Sequence, residues 1–169
     1  MASALTTTGP AATSVMGKYL TFLLGRESYG VSVLKVREII RLCPVTPVPQ
    51  MPQFVKGVVN LRGKIVPLVD LRLKFNLPIS GDGERSCIIF VEVHAATGGK
   101  LNIGLLVDGV EEVANLTSAD LEPTPDFGSS LSTEYILGMA KIKGTVKTLL
   151  DIDRVVTAQT IERVQRAAA

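Results

Sequence analysis

The chain has no tryptophan, and its aromatic residues are limited to five phenylalanines and three tyrosines in 169 residues. Valine, leucine and isoleucine must therefore build the core, a bias that suits strands. Apolar residues still make up 46% of the sequence, enough for a buried interior. There is one histidine, His94. Every Ser/His/Asp or Cys/His catalytic set would have to use it, and none can be assembled around the loop-like "HAATGG". The two cysteines, Cys43 and Cys87, lack metal-type spacing. Cys87 opens an apolar strand pattern and reads as a small core residue; a disulfide between the two is disfavoured in a chain that reads as cytosolic. No apolar run approaches the ~18 residues of a membrane-spanning helix, and the N-terminus lacks a basic segment followed by an apolar one.

Charge is equally sparse in pattern. The net charge is +2, with lysines and arginines spread along the chain. No basic run is interleaved with aromatics, so a nucleic-acid-binding barrel has a poor stacking platform. Glu111-Glu112 is an adjacent acidic pair, but neighbours on a strand point to opposite faces and do not share a proton or metal. "GGK" at 98–100 lacks phosphate-loop spacing, and "SGDG" lacks a calcium-loop ligand series. These shortages leave a non-catalytic binding or scaffolding protein as the better class, with no cofactor and no metal. Two alternatives are a nucleic-acid-binding barrel, which filter binding would reveal, and a hydrolase using His94, which a His94→Ala variant would test.

What is present is mostly β pattern. Residues 1–17 are small, polar and unpatterned and read as a disordered tail. "KYLTFLL" and "SYGVSV" form a hairpin signal with Gly25 in the turn. "VLKVREIIRL" fits neither the helical nor the strand period cleanly. "CPVTPVPQMPQ" carries four prolines and reads as extended chain along a sheet edge. "DLRLKFNL" reads as a short helix with Asp70 near its start, and "PISGDGE" as the best internal boundary. A second β-rich series follows, "SCIIFVEV" and then "KLNIGLLVDGVEEVANL". "EPTPDFGSSLSTE" is an exposed connection. Residues 153–169 read as a C-terminal helix, with Asp153 as a possible cap and Val155, Ala158, Ile161 and Val164 as an apolar stripe.

The informative feature is a gapless internal repeat. "GVVNLRGKIVPLVDL", Gly57 to Leu71, lies over "GMAKIKGTVKTLLDI", Gly138 to Ile152. Arg62 falls on Lys143, Gly63 on Gly144, and Asp70 on Asp151. Upstream, Phe54-Val55 lies over Tyr135-Ile136. Each half also opens with a hairpin. The expected architecture is mainly β: two similar small barrels or curled sheets, about 18–78 and 86–152, with short helices. A unit of ~60 residues is marginal alone, so the two should share an apolar seam, and a groove between them is a natural binding site. Gly63 and Gly144 are expected at positive φ. That projects Arg62 from a rigid tip, either solvated or held by an acidic partner, with Glu38 as the first candidate. Lys147 stands where an apolar strand residue is expected; if it points to solvent, nothing is lost.

The motif residues resemble a known family. "VREI" at 36–39, "PVTPVPQMPQFVKGVVNLRGKIVPLVDLR" and "GLLVDGVEEV" together look like the CheW family of bacterial chemotaxis coupling proteins, over roughly Lys18 to Val156. The same run marks the regulatory domain of the CheA histidine kinase and the CheV adaptors. No kinase, phosphotransfer or receiver segment accompanies it, so a stand-alone coupling protein is the nearest match. The resemblance implies two SH3-like five-stranded barrels and no catalysis. It also implies an adaptor joining the cytoplasmic tips of chemoreceptors to the CheA regulatory domain, so that receptor state controls kinase autophosphorylation. Such a chain would be cytoplasmic, recruited to receptor clusters at the inner membrane, and monomeric when isolated, with no nucleic acid bound. The positions it assigns to receptor contact are Val36, Glu38, Ile39, Gly57, Asn60, Arg62 and Gly63, with Leu105 and Asp108 lining the other side. Kinase contact falls to a stretch including Val45, Thr46 and Lys56.

Overall fold

The computed structural model describes residues 17–75, 77, 85–94, 99–122 and 135–155. The first hairpin joins β1 (Gly17–Leu24) to β2 (Glu27–Ser32), with Gly25 at φ 63° in the turn. Gly17, assigned to the tail from sequence, is the first residue of β1. A 3₁₀ turn, Val33–Lys35, follows and is capped by the Ser32 side chain, which accepts from the Leu34 N–H. It leads into β3 (Val36–Arg41), so "VLKVREIIRL" has no single period because it is a turn and then a strand. β4 (Val55–Leu61) and β5 (Lys64–Asp70) make the repeated hairpin, closed by one helical turn, α1 (Leu71–Lys74). Asp70 is its N-cap, accepting from the Arg72 N–H.

The second series has the same plan. β6 (Cys87–His94) pairs with β7 (Lys100–Val107), then come β8 (Gly109–Leu116), the two-residue β9 (Leu121–Glu122), β10 (Ile136–Ile142), β11 (Thr145–Leu150) and a helical turn, α2 (Ile152–Val155). Asp153 lies inside α2 rather than capping it; the carbonyl of Asp151 accepts the helical N–H groups of Arg154 and Val155. The rest of the expected C-terminal helix lies outside the described residues.

The strands do not assort by halves of the chain. One sheet runs β8-β1-β2-β11-β10-β9 and the other β3-β6-β7-β5-β4. The first hairpin therefore completes the sheet built by the second half, and the second hairpin completes the sheet built by the first half. Two parallel junctions make the exchange: Tyr29 and Gly30 of β2 against Thr148 and Leu149 of β11, and Gly104–Leu106 of β7 against Leu68–Asp70 of β5. The two curled sheets are expected from sequence, but sequential units 18–78 and 86–152 are not what forms. One sheet has six strands because β9 adds a short edge to β10; in the other sheet the matching edge is a single bridge, Thr46 to Val58. Exchange suits the small size of each repeat, since neither can bury enough surface alone.

Burial follows the alternation of the strands. Ile88 and Phe90 point into the interior of the five-stranded sheet with Val59, Val66, Leu68 and Leu106. Ile89 and Val91 point the other way, into a core shared by both sheets with Leu20, Phe22, Val31 and Leu150. The six-stranded sheet has a smaller interior around Tyr19, Ala114, Leu116, Ala140 and Leu149. The shared core is the expected seam. Lys147 does not face solvent. It is buried, with its ammonium 3.0 Å from Glu111 Oε1. Val66 is its counterpart in the first repeat, so its strand position is an inward one. Both cysteines are free, and Cys87 is buried.

Candidate functional site

The β4–β5 turn is built by Leu61, Arg62, Gly63 and Lys64. Leu61 pairs with Lys64, leaving a two-residue loop, and Arg62 and Gly63 both have positive φ, 53° and 83°. These are type I′ values, which match the twist of the flanking strands. Lys143 and Gly144 repeat them at 52° and 81°. Glycine adopts this conformation freely, whereas a side chain there costs about 1 kcal/mol. The Asn60 side chain accepts the Gly63 N–H at 2.9 Å and holds the turn closed. Asn60 thus has a local structural task.

Arg62 reaches Glu38 on β3, Nη2 to Oε1 at 2.9 Å, with the guanidinium largely in solvent. Two exposed aliphatic residues lie on these strands: Ile39 (43% exposed), which follows Glu38 on β3 and points to the opposite face, and Ile65 (52%) on β5, paired with Asn60. Val36, at the start of β3, is half-buried against the shared core. Val36, Glu38, Ile39, Asn60, Arg62 and Gly63 therefore belong to one corner of the five-stranded sheet.

The other expected residues fall elsewhere. Leu105 is fully buried in the shared core and lines no surface. Its strand is covered on both faces, and the unbroken apolar run "IGLLV" is the signal that could have shown it. Asp108 connects β7 to β8 and accepts from Arg72 Nη1 at 2.9 Å. Gly57, at φ 149°, lies against the Thr46–Pro47 backbone, where a Cβ would collide with the Thr46 carbonyl. It belongs with Val45, Thr46 and Lys56 rather than with the turn tip. Thr46 exchanges two backbone hydrogen bonds with Val58, at 2.9 and 2.8 Å, and Val45 packs against the interior of the five-stranded sheet. Lys56 lies 3.7 Å from the buried carboxylate of Asp70.

Apart from Arg62–Glu38, sequence reading did not find the ion pairs that cross between elements. Arg72 is 1% exposed and binds Asp70 through Nε and Nη2 as well as Asp108. Lys35 meets Asp153 at 2.7 Å, and Arg37 meets Glu92 at 2.7 Å. The Arg37 hydrogen bond, ahead of its charge, draws the Glu92 carboxyl below its ordinary value. Tyr29 titrates above its ordinary value, first through burial and then through the charge of Glu27. His94 is exposed at the end of β6, with its backbone N–H donated to Asp153. Among the described residues, no group of three or more His, Cys, Asp or Glu side chains could hold a metal ion, and no helix is long and apolar enough to cross a membrane.

Residues 18–160 match the family model of the CheW-like domain. The chain belongs to the CheW family. A relative named chemotaxis protein CheW from Klebsiella aerogenes is 36% identical over 99% of this chain and 98% of its own length. Another of that name, from Rhizobium meliloti, is 32% identical over 85% and 89%. Protein FrzA of Myxococcus xanthus is 27% identical over 78% and 79%. The crystal structure of the scaffolding protein TtCheW from Thermoanaerobacter tengcongensis superimposes with a TM-score of 0.73 at 29% identity, covering 85% of this chain and 91% of that one. The mainly β fold of two SH3-like sheets is thus the CheW fold, and the CheW-family chain is a non-catalytic protein.

Proposed function

We propose that this chemotaxis scaffold is an adaptor between the cytoplasmic domain of a chemoreceptor and the regulatory domain of the CheA kinase. In this role receptor state governs kinase autophosphorylation, and the chain itself catalyses nothing. The carrying observation is the ion pair of Arg62 and Glu38, which joins the turn tip to β3, while Ile39 on β3 and Ile65 on β5 are exposed. Exposed arginine and aliphatic side chains together are the composition of a protein contact. Val36, Glu38, Ile39, Asn60, Arg62 and Gly63 form the receptor-facing surface. Val45, Thr46 and Lys56, lying along β4 and its edge segment, form the kinase-facing surface, and buried Gly57 lets that segment lie close to β4. The chain works in the cytoplasm, is recruited to receptor clusters at the inner membrane, and is a monomer between partners. The test is a pull-down with purified receptor cytoplasmic domain and kinase regulatory domain. Wild type should retain both. Arg62→Gly should lose the receptor and keep the kinase; retention of both would sink the receptor assignment.

A further inference from the structure

Two polar clusters tie one sheet to the other, and they occupy matching places in the two repeats with their charges reversed. In one, Asp108 on the connection before β8 takes Arg72 of α1 at 2.9 Å and the backbone N–H of Gly25 at 2.6 Å. In the other, Asp153 of α2 takes Lys35, on the connection before β3, at 2.7 Å and the backbone N–H of His94 at 3.0 Å. The repeat lays Arg72 over Asp153. Asp108 and Lys35 each stand between a hairpin and the next strand. Gly25 immediately follows the first strand of one hairpin, and His94 ends the first strand of the other. Acid and base have changed places while the link between helical turn and connection remains. A sign-inverted copy is what results when the link matters and the side that carries each charge does not.

The clusters differ in burial. Arg72 is sealed and also held by Asp70. Lys35 and Asp153 remain 27% and 31% exposed and, among the described side chains, bind only each other. Lys35 immediately precedes Val36, and β3 then carries Glu38 and Ile39. Any shift of Lys35 moves the entrance of β3, and with it the carboxylate that meets Arg62.

We propose that Lys35 and Asp153 are positioning residues: a solvent-accessible clasp between α2 and the β2–β3 connection that sets where Glu38 meets Arg62. Its consequence for receptor binding rests on the adaptor reading above; the positioning itself does not.

The test uses the full chain. Lys35→Asp and Asp153→Arg should each shift the NMR signals of Val36–Ile39 and of the Arg62 guanidinium in the free protein. The double variant Lys35→Asp/Asp153→Arg rebuilds the arrangement of Asp108 and Arg72 and should restore those signals, and Lys35→Arg should barely move them. Affinity for a receptor cytoplasmic fragment should fall about 5-fold or more in each single variant and recover in the double. Affinity for the kinase regulatory domain should stay constant throughout. Unmoved Glu38 and Arg62 signals in the single variants overturn the clasp, as does a parallel loss of kinase binding, which would signal general damage to the fold. A wild-type chain that binds no receptor fragment sinks the adaptor reading, while the signals of the free protein still decide the clasp.

Discussion

Lys143 lies 3.2 Å from Glu112 in the same arrangement that joins Arg62 to Glu38. The register fixes the equivalence. Val36 pairs with Val91 and Val110 with Phe22, each beside a bulge, and Glu38 and Glu112 follow two residues later. Exposed Val113 and Val146 take the places of exposed Ile39 and Ile65 in the second copy of the unit. The ion pair at the turn tip is therefore a property of the repeated unit. Specificity must lie in what differs: a guanidinium against an ammonium, isoleucines against valines, and Asn60 against Lys141.

That contrast gives a paired prediction. Arg62→Gly and Lys143→Gly each remove a side chain from left-handed backbone and one exposed ion pair, itself worth only about 0–1 kcal/mol. Both variants should be as stable as wild type, or more stable by up to about 1 kcal/mol. Only Arg62→Gly should weaken receptor binding, by about 2 kcal/mol or more if it is a hot spot. Urea melts and titration with a receptor fragment check both halves. Equal loss of binding in the two variants would return the site to the fold as a whole.

Gly57→Ala should be costly for a different reason. The new Cβ would press on the Thr46 carbonyl in a backbone region that only glycine occupies easily. The expected loss is about 1–3 kcal/mol. Amide exchange at Thr46 and Val58 should accelerate, because the bridge between them must open. A stable variant with both amides still protected would contradict the close approach.

Lys147 and Glu111 should respond unequally. Lys147→Val recreates the Val66 environment, and the freed Glu111 can hydrate because it is 28% exposed. Stability should change by less than about 1 kcal/mol, in either direction. Glu111→Ala instead strands a buried ammonium and should cost about 1–3 kcal/mol, discounted from a fully buried pair for that exposure. Thermal melts of the two variants measure the asymmetry; equal losses would refute it.

Glu92 should titrate below its ordinary value of 4.5, held down by Arg37. A carboxyl whose folded pKa is depressed adds stability above its unfolded pKa, and that stability is lost as pH falls through the folded value. Carboxyl-detected NMR should therefore show a low midpoint for Glu92 that rises towards 4.5 in Arg37→Ala. A midpoint unmoved by that substitution would remove Arg37 as the cause.

The sequence by itself determined the local elements and their duplication. Glycine at Gly63 and Gly144 follows from a two-residue turn, Asp70 from the need to cap α1, and the hairpins from alternating aliphatic residues. The Arg62–Glu38 pair was legible because the turn leaves Arg62 projecting and the "VREI" segment after the first hairpin supplies an acid. Only the tertiary structure decided which hairpin completes which sheet. The two hairpins carry the same apolar alternation, so burial on both faces is satisfied in pattern by either arrangement; the parallel junctions of β2 with β11 and β7 with β5 choose between them. The same choice buried Leu105, turned Lys147 inward, and brought Lys35 to Asp153 and Arg72 to Asp108. Charges far apart in the chain become partners only once a fold has placed them, and no local propensity encodes that distance.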